Sequence, residues 1–89
     1  MKANKKYIFR KVAKEHLLIP TGEVALKIKG LVAVSESGSM LYQMLQKGCT
    51  REDLVAALRA EYDVSPEVAE QDVDAYLEQM RQLEMLVED

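Results

Sequence analysis

The sequence predicts an α+β fold, a small three-stranded antiparallel sheet followed by three helices. Two features predict it. Short β-branched and aromatic segments, "YIFRKV", "HLLIP" and "LVAVS", fill the first part of the chain, and three longer segments with apolar residues at helical spacing, each opened by Ser or Thr, fill the rest. Strands followed by helices in this order are the signature of α+β folds. The 89 residues are expected to form one domain, 1–89, because a chain of this size buries roughly 60% of its unfolded surface and has no room for a second core.

Tyr7 to Val12 mixes aromatic and β-branched residues with charged ones, as a strand exposed on one side does. A second strand, His16 to Pro20, stops at a residue that cannot donate to a ladder, and Thr21 and Gly22 complete a turn. "EVALKIKG" supports two readings. The alternation of Val24, Leu26 and Ile28 fits a strand, while its length and lysines fit an exposed connection closed by Gly30. Leu31 to Ser35, "LVAVS", carries the clearest strand pattern of the chain.

The first helix is expected from Glu36 to Lys47, with Met40, Leu41, Met44 and Leu45 on one face and Gly48 as a left-handed C-terminal cap. Ser35 or Ser37 can accept from the free N–H groups of its first turn, so the preceding strand passes into the helix without a loop. The second helix opens at "TRED", where Thr50 and Asp53 have the spacing of a capping box. Leu54, Val55, Leu58 and Tyr62 form its apolar stripe, and Cys49 is placed to pack against Leu54 as a hydrophobic staple. The third opens at "SPE", with Ser65 as cap and Pro66 at the first helical position. Its apolar face is Val68, Val73, Tyr76, Leu77, Met80 and Leu83.

Charge is unevenly distributed. Eight bases face two acids before residue 31, a balance of +6, and four bases face thirteen acids from Leu31 onward, a balance of −9. Such a split marks separate surfaces for separate partners. The longest apolar runs fall far short of the roughly 20 residues of a membrane span, and the lysine-rich start lacks a following apolar stretch, so a cytoplasmic chain with no membrane partner is expected. A single Cys and a single His supply neither a disulfide nor a zinc site, and no cofactor is expected.

Catalytic constellations are missing from the pattern. The neighbouring acids Asp72 and Asp74, and Glu52 and Asp53, point to different sides of a helix. His16 has no Ser or Cys nucleophile close in sequence, and the four glycines are scattered at turns rather than gathered in a phosphate loop. The chain is therefore read as non-enzymatic. Strands with three short helices suggest a winged helix-turn-helix-like arrangement, and a DNA-binding regulator is the alternative function. The third helix, however, carries Glu67, Glu70, Asp72, Asp74 and Glu78 against a lone Arg81, a face that repels phosphates. No nucleic-acid partner is expected.

From about Tyr7 to Val87 the chain resembles the PqqD-like proteins, small peptide chaperones of pyrroloquinoline quinone biosynthesis whose fold recurs as the recognition element for ribosomally made, modified peptides. The resemblance rests on the order of "HLLIPTG", "GLVAVSESGSMLYQML" and "GCTREDLVAALRAEYDVSPEVAEQDVDAYLEQMRQLEML". Two positions depart from the family pattern: Ser35 stands where Asn is usual, and Glu84 where Gly commonly ends the last helix.

The resemblance implies a non-catalytic adaptor that captures the leader of a precursor peptide as an extra antiparallel strand and presents it to a modifying enzyme, expected to be a radical S-adenosylmethionine maturase. One cysteine cannot hold an iron–sulfur cluster, so that cluster belongs to the enzyme. A sheet this small must leave an edge open. That edge is placed at Leu31, Val32, Ala33 and Val34, with Asp72, Tyr76, Gln79 and Met80 of the last helix lining the groove beside it. Lys27 and Lys29 precede the edge and are expected to favour an acidic leader segment. A monomer or weak homodimer is expected, because an open edge can pair with its own copy.

Overall fold

The sheet begins with a tight hairpin. In the computed structural model, which describes residues 1–28 and 30–88, β1 (Lys2–Ala3) precedes β2 (Tyr7–Val12), which pairs antiparallel with β3 (Glu15–Pro20) in a register running from Tyr7↔Pro20 to Val12↔Glu15. That register leaves Ala13 and Lys14 as the turn. Ala13 lies at φ 56, a left-handed conformation usually given to glycine in such turns.

After β3 come α1 (Gly22–Lys27) and β4 (Val32–Val34), and β4 pairs antiparallel with β3 through Leu18↔Val32, Leu17↔Ala33 and His16↔Val34. The strand order is β2-β3-β4. The helices α2 (Glu36–Lys47), α3 (Arg51–Glu61) and α4 (Pro66–Gln82) follow. Last comes β5 (Leu86–Val87), which pairs with β1 and so joins the two ends of the chain.

Three expectations need correction. The described residues contain four helices rather than three, because Gly22–Lys27 is helical. Val24 and Ile28, four apart, are the pair that turns inward: Val24 is buried, Ile28 is half-buried against the core and its N–H donates to Val24 O at 2.8 Å, while Leu26 is 79% exposed. Strand alternation would have put Leu26 on the same side as both. The edge strand is also shorter than expected, since Leu31 lies outside β4 and is 59% exposed. On α4, Val68 is exposed and Ala69 is buried in its place.

The helix starts follow local chemistry. Ser35 Oγ accepts from Gly38 N–H, Ser65 Oγ accepts from Val68 N–H, and Thr50 and Asp53 form both bonds of the capping box. Gly48 closes α2 at φ 93, but with ψ 132 the backbone leaves in an extended direction rather than a left-handed helical one. Cys49 is half-buried against the core that contains Leu54, and burial raises its thiol pKa, which keeps it a neutral, poorly nucleophilic group.

One core serves all layers. Tyr7 and Leu18 enter it from the sheet, Leu41, Tyr42 and Leu45 from α2, Leu54 and Leu58 from α3, and Val73, Leu77 and Met80 from α4. Among the described residues no helix is long and apolar enough to cross a membrane.

The end of α4 decides where the last core residue falls. Glu84 adopts φ 57, its N–H donates to Arg81 O at 3.1 Å, and Met85 N–H reaches back to Met80 O at 2.8 Å. This is the bond pattern of a Schellman cap, with Glu in the left-handed position that glycine usually fills. The cap turns Met85 into the core. A left-handed non-glycine residue costs about 1–2 kcal/mol. Both Glu84→Gly and Glu84→Ala remove the exposed Lys27–Glu84 ion pair, so comparing them isolates the backbone effect. In urea melts Glu84→Gly is expected to be the more stable of the two by about 1 kcal/mol; the reverse order would contradict the cap.

Candidate functional site

Among the described residues β4 is hydrogen-bonded on one side only. Its ladder with β3 satisfies one edge, and among the described residues no strand pairs with the other. Alternate residues of such an edge direct both N–H and C=O outward. Opposite the free edge stands α4, and between them lies a cleft of about 100 Å³ lined by Val32–Ser35, Gly38, Tyr76, Gln79, Met80, Leu83 and Met85. Pockets that hold whole small molecules are roughly 300–1,000 Å³. This one has the volume for side chains.

The side chains divide by depth. Val32 and Val34 are half-buried against the core, and Ala33, on the opposite face by strand alternation, is exposed. Met80, only 1% exposed, forms the floor, and Gln79 lies exposed at the rim. Tyr76 is half-buried and donates its hydroxyl to Gly38 O at 2.9 Å, tying the middle of α4 to the first turn of α2. A Cβ on Gly38 would stand 3.3 Å from Tyr76 Cε1 and 3.2 Å from Ser35 Oγ, so glycine permits this close approach. Asp72 is exposed and lines an adjoining cleft rather than this one.

Of the residues expected at the site, Val32, Ala33, Val34, Tyr76, Gln79 and Met80 come together around the one cleft. Leu31 does not line it, and Lys29 lies outside the described residues. Lys27 already pairs with Glu84 at 3.3 Å, so its charge is partly engaged. Sequence reasoning missed Ser35, Gly38, Leu83 and Met85 as lining residues. A signal existed for Gly38, since glycine inside a helix costs about 1 kcal/mol relative to alanine and its presence points to a packing need.

His16 does meet a serine. Its Nδ1 is 3.1 Å from Ser39 Oγ on α2, and its ring stacks on Phe9 with centroids 5.7 Å apart. Ser39 is only 2% exposed, and its Oγ also accepts from Gln43 Nε2 at 3.3 Å. This contact holds β3 to α2 at the side of an open cleft that both residues line.

Fold and site together define a small α+β domain with an open sheet edge beside a helix. The chain belongs to the PqqD family, whose model, described as coenzyme PQQ synthesis protein D, matches residues 17–86. Two solved structures share the fold. One is TbiB1 in complex with the TbiA(beta) leader peptide, with a TM-score of 0.80 and 24% identity over 100% of both chains. The other is lasso peptide synthetase B1 complexed with the leader peptide, with a TM-score of 0.79 and 16% identity over 98% of this chain and 96% of that one. A search of curated proteins returns no match.

Burial raises the pKa of the Tyr76 hydroxyl, with Tyr42 adding to the shift. Tyr76 is an acid kept neutral by the fold, so the stability it contributes is complete below pH 10 and is lost as pH climbs from there toward the folded value. Tyr76→Phe is expected to cost about 1 kcal/mol at pH 7 through the lost bond to Gly38 O. Urea midpoints of the two proteins are expected to converge above pH 10; a constant gap would contradict the assignment.

Proposed function

We propose that this chain is a non-catalytic adaptor that binds the leader of a ribosomally synthesised precursor peptide as an added antiparallel strand on β4 and presents it to a modifying enzyme. The observation that carries this reading is the unpaired edge of β4 facing the α4 cleft. Membership of the PqqD family supports it. So does the presence of a leader peptide in both structures of the same fold.

Main-chain bonds on a strand of three residues cannot by themselves reach micromolar affinity. Such an edge offers two to four outward bonds at about 0.5–1.5 kcal/mol each, against roughly 4–15 kcal/mol for association. Side chains must supply the difference. Every second residue of an added strand points into the cleft, where Met80, Leu83 and Met85 provide an apolar floor, so the backbone sets register and the cleft sets selectivity.

The enzyme served is a radical S-adenosylmethionine maturase, which brings its own iron–sulfur cluster. Holding the precursor near it raises the effective concentration of the core peptide without any chemistry by the adaptor. Residues 1–89 act as one domain in the cytoplasm, as a monomer or weak homodimer in which self-pairing at β4 competes with the leader.

Fluorescence polarisation with a labelled leader from the precursor gene adjacent to this chain's gene is expected to give a Kd of about 1 μM or tighter. A labelled random DNA duplex is expected not to bind. Duplex binding without leader binding would establish the winged-helix regulator instead.

A further inference from the structure

Antiparallel addition sets the direction of the guest, and this inference rests on that reading. Against β4, which runs from Val32 to Val34, the peptide's C-terminal part leaves past Val32 and its N-terminal part past Val34. Beyond Val34 lies a second cleft, of about 280 Å³, that shares Ser35, Gly38, Tyr76 and Gln79 with the first. Tyr76, fastened to Gly38, is the wall between them.

The lining of this second cleft points to a ligand class. Leu41 and Leu58, both buried core residues, reach it from beneath, and Ala75 flanks it on α4. Its single charged lining residue among those described is Asp72. The neighbouring acids of α4 are engaged, Asp74 and Glu70 with Arg51 and Glu78 with Arg81, whereas Asp72 enters no ion pair among the described residues. An apolar trough ending in a free carboxylate matches a side chain with an apolar stem and a cationic head.

We propose that this cleft is a subsite for a lysine or arginine of the leader, placed within roughly four residues N-terminal to the stretch that pairs with β4. The methylene stem rests against Leu41, Leu58 and Ala75, and the cation lies beside the Asp72 carboxylate. Asp72 thereby selects for a basic residue at that position of the leader.

The test is a charge-swap cycle read by fluorescence polarisation at low salt, using the leader described above and two variants with its basic residue replaced by Met or Glu. Asp72→Asn is expected to weaken the unmodified leader by about three- to five-fold, the Met peptide being insensitive to it. Asp72→Lys is expected to reverse the preference, so that the Glu peptide binds better than the unmodified one. Circular dichroism spectra matching the parent exclude misfolding. A leader without Lys or Arg in that window, or equal binding of all three peptides by the parent and Asp72→Lys chains, overturns the subsite. Those results leave strand addition intact, whereas failure of the parent chain to bind the unmodified leader refutes strand addition itself.

Discussion

The one-sided pairing of β4 is the constraint from which the rest of the molecule takes its sense. An unpaired edge is ordinarily a liability, because its N–H and C=O groups will accept any extended chain. β4 carries no lysine, proline or bulge to discourage such pairing along Val32–Val34. It is shielded by brevity and by position, three residues long and set beside a helix. Ser35 ends the strand and caps α2 at once, so the chain turns away before the edge can lengthen.

The proposed strand addition calls for a wall at a fixed distance from the edge, and the structure fastens α4 at several points. Tyr76 holds its middle to α2. Arg51 grips Asp74 through two bonds of 2.6 and 3.0 Å, linking α3 to α4. At the far end, the Tyr7 hydroxyl donates to Leu83 O at 2.6 Å and Asn4 Nδ2 to Glu84 O at 2.7 Å, tying the N-terminal segment to the close of α4. Surface pairs contribute little singly, but the anchors at three positions leave the helix few directions in which to move. Such preorganisation lowers the ordering cost of binding, which matters where the main-chain contribution is small.

Much of this was legible in the residues, and the remainder failed for physical reasons. The caps at Ser35, Thr50 and Ser65 are local bonds between residues three apart, so their chemistry is visible in sequence. The six residues of α1 were not, because over so short a span alternation and helical spacing place Val24 and Ile28 alike, and only Leu26 distinguishes them. The β1–β5 pair joins residues from opposite ends of the chain over two positions, too few for any periodicity. At the site, β4 and the inward face of α4 could be read from pattern. Met85 could not, since its place depends on a left-handed turn made by a glutamate, a residue that carries no turn signal.

The central claim is that a guest backbone hydrogen-bonds to β4, and it is tested most directly by N-methylating the leader one residue at a time. Removing an N–H that faces β4 deletes a bond and adds a clash, whereas removing one that faces away does neither. Affinity is expected to fall at alternate positions across the paired stretch and to stay near the parent value between them. Uniform tolerance, or loss at helical spacing, would show that the leader does not add to this sheet.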